Sequence, residues 1–399
     1  MRLFFEPTEP LLFRTGRPFD VGENNFAESI FPPTPETLQG AVRAMIATHW
    51  DIGKTLDQIF QQPELTALIG DRTQYGRFRI TGITLGRYKK ENAPDMSMEQ
   101  IFPAPSHILQ EEDGEKRQVR LIPRKTQNDI QTDLPDNMQL LYPGENIEDS
   151  QGKLEPVRGW LTENGLQTAL WTNKDIAKED IISSNDIFVT EPRMGIGMNN
   201  VTKTTQEGQL YQVQKLRMNP HVNPDYFYGF IIDVRLALSS TGGTVTANSE
   251  PLVDDDQTQK LLKLPDKGWV TLGGERRAAH FTVLHSQSSR QIPKRQGTLL
   301  YLATPTVLKG GWRPQTWRSP LVPPVAASIN RYQPIGGWRL VPGSGAGENK
   351  TMYRCVPAGS VYFFDQIVTI PEFLTDDATN QDWNGWQIGY GITYAGDWK

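Results

Sequence analysis

The sequence predicts an α+β fold of two ferredoxin-like domains with long insertions and a protruding β-hairpin. Three observations carry that expectation. Short helical stretches alternate with strand-like runs, the order of β-α-β-β-α-β units. The chain has 399 residues, enough for two separate cores. Its 35 glycines and 29 prolines imply many turns and long loops, not a helical bundle. The division falls near residue 220, giving an N-terminal unit over 1–222 and a C-terminal unit over 223–399.

Taken in order, MRLFF reads as an opening strand. After a long loop, PPTPETLQGAVRAMIATHW reads as a helix: Thr34 caps it and Pro35 takes the first helical position, where a missing N–H costs nothing. Leu38, Val42, Met45 and Ile46 follow helical spacing, and Gly40, Ala44 and Ala47 allow close approach to a sheet. RFRITGITL (77–85) reads as a strand with a bulge at Gly82. The polar middle, about 111–180, gives no clear assignment. GFIIDVRLAL (229–238) alternates, with Phe230, Ile232, Val234, Leu236 and Leu238 on one face and Asp233 and Arg235 on the other. GTLLYLATPTVL and PAGSVYFF read as further strands.

Hydrophobic residues make up 37% of the chain and the net charge is -5. That balance argues against a basic coat for nucleic acid, though not against a local basic surface. Acid runs at 111–115, 254–256 and around 376–382 read as solvated loops. No apolar run is long enough to span a membrane, and no secretory leader is apparent at the N-terminus. Cys355 is alone, which points to a reducing cytoplasm.

Enzyme signatures fail one by one. Ile52-Gly53-Lys54-Thr55 has Thr48 where a phosphate-binding loop needs glycine, and it follows a helix instead of a strand. Gly195-Ile196-Gly197 begins a dinucleotide fingerprint, but Asn200 holds the third glycine position. His49, His107, His221, His280 and His285 form no zinc motif. No GxSxG elbow is present. The expectation is no catalytic residue, no metal and no cofactor.

Three stretches remain. LLFRTGRPFDVGE leads into the first helix. EPRMGIGMNNVTKTTQEGQLYQVQKLR (191–217) reads as a long hairpin with Gly195, Gly197, Asn199 and Asn200 towards its tip. Between 187 and 217, Arg193, Lys203, Lys215 and Arg217 oppose Glu191 and Glu207, a local charge of +2. Basic sides with the apolar Met198 near the tip suit a finger that grips phosphates and wedges between bases; an ordinary surface hairpin is the plain alternative. The third stretch, LGGERRAAHF (272–281), puts two glycines before an acid and two arginines.

FRTGRPF, PPTPETLQGAVR, RMGIGMNNVTKTTQEGQLY, LGGERRAA and PAGSVYFF together resemble the RAMP proteins of CRISPR effector complexes. They most resemble the third RAMP subunit of the type III-B, or Cmr, complex. The blocks occur in the family's order over nearly the whole chain; a sister RAMP of another type III system would share several of them. The resemblance implies two RRM-like RAMP domains and a thumb hairpin around 187–217. It implies a non-catalytic subunit in antiviral defence that caps the 5′ handle of the CRISPR RNA. As partners it implies the large polymerase-like subunit and an adjacent backbone RAMP subunit. On this view Gly273 and Gly274 let backbone approach RNA, and Arg276 or Arg277 adds a phosphate contact. The first fifty residues hold four arginines against six acids, so of the first loop only Arg14 and Arg17 are expected to turn towards RNA. Two other readings stay open at this point. One is a RAMP endoribonuclease using His49 or His280. The other is a β-rich binder stacking ligands on Trp383, Trp386 and Trp398.

Overall fold

The structure is a computed structural model. It describes the chain except residues 16–25, 51–57, 60, 72–74, 93–97, 113–116, 126–131, 136, 145–152, 200, 220–224, 239–250, 286–293, 314–320, 341–346, 376–384 and 399, together with the side chains of 206–208, 338–340 and 347–349. The opening strand is β1 (Arg2–Pro7), and helix α1 spans Pro35–Trp50. The Thr34 hydroxyl accepts from the Thr37 N–H at 3.4 Å, so the expected cap is present. Leu38, Ala41, Val42, Met45, Ile46 and Ala47 are buried on the sheet side. Gly40 instead lies on the open face with nothing within 4 Å of a Cβ built there. Of the three small residues expected to allow close approach, Gly40 does not face the core; Ala47 is buried, Ala44 is half-buried, and Ala41 is buried beside them.

Further strands are β3 (Phe78–Lys89), β4 (Glu99–Pro103), β9 (Trp160–Thr162), β10 (Ile181–Ile182), β13 (Tyr226–Leu236), β14 (Lys267–Leu272) and β15 (Arg277–Leu284). With β1 they form one eight-stranded sheet in the order β10-β9-β4-β3-β13-β1-β15-β14. The polar middle that sequence left unassigned adds a small sheet of β5 (Ile108–Glu111), β6 (Gln118–Arg124), β7 (Leu140–Pro143) and β8 (Leu154–Pro156). Strands β13, β14 and β15 share a sheet with β1, so the boundary expected near residue 220 falls within a single sheet and a single core. Phe5, Val42, Phe78, Phe230 and Phe281 are among that core's fully buried side chains, each stabilising the fold by about 1.5–3 kcal/mol.

The expected alternation of β13 holds as far as Leu236. Leu238 lies beyond the strand and is 57% exposed, while Ile231 is buried on the opposite face with Phe4 and Tyr88. The β13–β3 register slips between Asp233 and Val234, opposite Gly82 and Ile80, which leaves Thr81 as the extra residue of a bulge. A Cβ on Gly82 would sit 2.4 Å from Asp233 Oδ2. The bare position therefore makes room for the Arg2–Asp233 pair, joined by hydrogen bonds of 2.8 and 3.0 Å.

A second core lies between helix α2 (Glu163–Trp171) and a sheet of β16 (Gln296–Leu302), β17 (Ala326–Ser328), β18 (Val361–Thr369) and β19 (Thr393–Gly396), ordered β17-β18-β16-β19. It draws Phe102 and Leu166 from the first half of the chain and Tyr301, Phe363 and Ile392 from the second. Trp386 packs beside Phe373 beneath the Arg79 guanidinium, and Trp398 donates its indole N–H to Phe364 O at 2.8 Å. Both serve packing, not ligand stacking; Trp383 lies outside the described residues. Asp254 caps a short helix, α3 (Asp255–Leu262), and Asp255 pairs with Arg235 at 3.0 Å, which accounts for that acid run. No group of three or more possible metal ligands occurs among the described residues, and none of the described helices is long and apolar enough to cross a membrane.

Candidate nucleic-acid interface

Three stretches far apart in sequence meet at one place. Strands β11 (Phe188–Met198) and β12 (Thr205–Met218) pair antiparallel as a long arm, and the short strand β2 (Phe26–Ala27) runs beside Gln212 and Val213. At the arm's root, Leu11 exchanges backbone hydrogen bonds of 2.8 and 2.9 Å with Leu216, and Leu12 O accepts from the Gly274 N–H at 2.8 Å. Residues 11–12 thus join the arm to the glycine-rich turn. Phe188 rests on Phe31 with ring centres 4.3 Å apart, and Leu216 and Met218 are buried in the main core.

The arm has two unlike faces, because side chains alternate along a strand. Met194, Ile196 and Met198 share one face with Leu210, the cross-strand partner of Ile196; all four are at least half exposed. The other face carries Glu191, Arg193, Lys215 and Arg217. Glycines interrupt that face at 195 and 197, where a Cβ would collide with Tyr211 and Gln209 from the facing strand. Met198 is thus the last member of an apolar row. Met194, Ile196 and Leu210 went unnoticed in the sequence, although the alternation M-G-I-G-M was its signal.

The charged face is largely paired. Glu191 accepts from both Arg193 and Arg217. Lys215, only 9% exposed, reaches Glu275 in the glycine-rich turn at 2.5 Å. Arg277 binds the same Glu275 and lies 3.9 Å from Glu9. At the tip, Asn199 Oδ1 accepts from the N–H groups of Val201 and Thr202, and Lys203 sits at φ +56°. That oxygen holds the turn. Arg14 is exposed and bridges to Ser29; Arg17 and Asn200 lie outside the described residues.

The glycine-rich turn is strained. Gly273 has φ +72° and ψ -163°, a region almost closed to other residues. Glu275 and Arg276 follow at φ +60° and +52°. The space a side chain would take at Gly273 is filled by Leu12 O at 2.7 Å and by the Phe13 ring. The close approach that the missing Cβ permits is therefore made to the chain itself, and the Gly274 N–H is already used. What the turn presents is Arg276: exposed and, unlike Arg277, with no acid partner among the described residues. Two consecutive left-handed residues without glycine cost of order 1–3 kcal/mol each, a cost that accumulates at functional positions.

Hydrogen bonds from Lys215 and Arg277 hold the Glu275 carboxyl below its ordinary 4.5. A lowered folded value means stabilisation that is complete above the unfolded value and is lost as pH falls through the folded one. Thermal melts should show a constant gap between wild type and Glu275→Gln near neutral pH, shrinking as pH drops below 4.5. A gap that persists in acid would remove the ionised contact from the account.

The four described histidines lie in separate surroundings. His49 Nδ1 lies 2.9 Å from Met45 O and its ring meets Phe281 edge-on, on the α1 side of the sheet. His280, one residue before Phe281, is on the opposite side against Trp269. Burial, helped by the nearby Arg120, holds His107 neutral, its pKa lowered to about 3. His285 lies 3.1 Å from Asp266. His221 falls outside the described residues.

The family model described as CRISPR-associated protein (Cas_Cmr3) matches residues 3–398. No curated protein matches. Among solved structures, the chain is similar to one from the type III-B Cmr-beta assembly bound to cognate target RNA and AMPPnP, at 14% identity and TM-score 0.44. It is also similar to one from the same assembly with cognate target RNA, at 14% identity and TM-score 0.43. In each case 91% of this chain and 86% of the other are covered.

Proposed function

Since the chain belongs to the Cas_Cmr3 family of CRISPR-associated proteins, we propose that it is a non-catalytic, RNA-binding subunit of a type III-B Cmr effector complex. It holds the 5′ handle of the CRISPR RNA. It docks the large polymerase-like subunit and, on another surface, a backbone RAMP subunit. The observation that carries the RNA reading is Arg276, held outward on a strained turn that is tied to the arm root through Glu275 and Lys215. An exposed arginine with no acid partner among the described residues, on a fixed turn, suits a phosphate oxygen.

The topology supports a ferredoxin-like first unit. Strands β1, β3, β13 and β15 follow one another along the chain with α1 after the first and α3 after the third. Their sheet order β3-β13-β1-β15, antiparallel throughout, matches two antiparallel β-α-β halves interleaved about β1 and β13. We take the second unit to be the sheet of β16 to β19 with α2, and the arm to be the thumb.

Repeat-derived RNA carrying the handle, mixed with the purified chain, should be bound and left uncut. Arg276→Ala should lower the slope of log affinity against log salt by about 0.7, the value for one single-strand phosphate, without moving the melting temperature. Arg277→Ala should destabilise instead, since it strips Glu275 of a partner. An unchanged slope for Arg276→Ala, or metal-independent cutting abolished by His49→Ala or His280→Ala, would overturn the reading.

A further inference from the structure

The outer edge of the eight-stranded sheet carries a ring pair that the reading above does not use. Trp269 on β14 and His280 on β15 are direct cross-strand partners. Their ring centres are 3.6 Å apart and the planes are tilted by 34°. Trp269 is 57% exposed and His280 is exposed too. Neighbouring Val270, Ala279 and Phe281 are buried in the main core on the α1 side, so the pair stands on the opposite face. A cross-strand pair that served the hairpin alone would need only its ring-to-ring contact, worth up to about 1 kcal/mol. The open indole face adds nothing to that contact, and its hydration is unfavourable.

Chemistry and position suit a nucleobase. A flat indole stacks on any base, whatever its sequence. Lys267 is exposed, two residues back along β14 on the same face and about 7 Å away by strand rise, where it can meet the attached phosphate. Glu6, the acid across from His280 on β1, is engaged by the Tyr88 hydroxyl at 2.6 Å. The connection between β14 and β15 is the glycine-rich turn itself. Trp269 lies three residues, roughly 10 Å, before Leu272, the last strand residue ahead of the turn, so an RNA held at Arg276 reaches it within a few nucleotides.

We infer that Trp269, backed by His280, is a stacking site for an unpaired base of the bound RNA, beside the phosphate contact at Arg276. This rests on the RNA-binding reading above. The test uses the full chain and fluorescein-labelled single-stranded repeat RNA. Trp269→Ala should weaken binding on the order of tenfold, the loss of one base–aromatic stack. Its salt slope should match wild type, because stacking releases no counterions. Trp269→Phe should keep most of the affinity. Ultraviolet irradiation of the wild-type complex should cross-link RNA to the peptide containing Trp269, a readout that holds even if the alanine variant misfolds. If wild type binds RNA but Trp269→Ala binds equally well and no cross-link forms there, the stacking site is wrong and the RNA reading survives. If wild type does not bind single-stranded RNA, both fall.

Discussion

Replacing residues 195–209 with a short Gly/Ser turn is expected to abolish ordered RNA placement next to the handle while leaving the rest of the fold intact. The anchors of the arm lie outside that segment: Phe188 against Phe31, Leu216 on Leu11, and Met218 in the main core. The described side chains within it include exposed Ile196, Met198 and Val201, so the melting temperature should change little. What disappears is the outer half of the apolar row, the group able to enter between unstacked bases. Chemical probing of RNA in assembled complexes should show a hyper-reactive, flipped-out nucleotide with the intact arm and none with the shortened one. The large protein partner should still bind, since its contacts are expected on the body of the protein. Identical probing patterns would leave the arm as a surface hairpin without a role in RNA placement.

Gly273→Ala should be among the most damaging single changes at the turn, and Gly274→Ala should be mild. At Gly273 the backbone occupies a region that excludes a Cβ, and the added carbon would fall 2.7 Å from Leu12 O and 2.9 Å from the Phe13 ring. Strain of about 1–3 kcal/mol combines with a collision against backbone that cannot move freely, for a total of about 2–4 kcal/mol. Relief would require the turn to leave Leu12, which would also misdirect Arg276, so RNA affinity and its salt slope should fall together. At Gly274 the nearest atom is 3.3 Å away and φ is not positive, and the N–H to Leu12 O is kept by alanine. Equal melting temperatures for the two variants would show that the turn tolerates a Cβ and that Arg276 is not fixed by it.

Much of the architecture was legible in the residues because it depends on local periods. The helix beginning at Pro35 follows from a cap, a proline and a 3.6-residue apolar spacing. Strand β13 follows from a two-residue alternation, and the arm from two strand-like flanks around a glycine- and asparagine-rich tip. The five sequence blocks pointed to the family that the match over residues 3–398 shows. The pairing of strands distant along the chain was not legible. Strands β13 and β15 pair with β1 across more than two hundred residues, and a period of two names a strand's faces without naming its neighbour.

Site chemistry divides along the same line. By itself the sequence determined that acids, arginines and glycines crowd 191–217 and 272–277, that a methionine stands near the arm's tip, and that no zinc motif links the histidines. Only the tertiary structure decided which charges are spent. Glu275 takes Lys215 from sixty residues away as well as its neighbour Arg277, and leaves Arg276 open. Leu12 fills the space beside Gly273, so that glycine is required by the fold's own packing. The reason is physical: charge pairing and steric exclusion act over a few ångströms of space, and chain separation does not encode that distance until the sheet order is fixed.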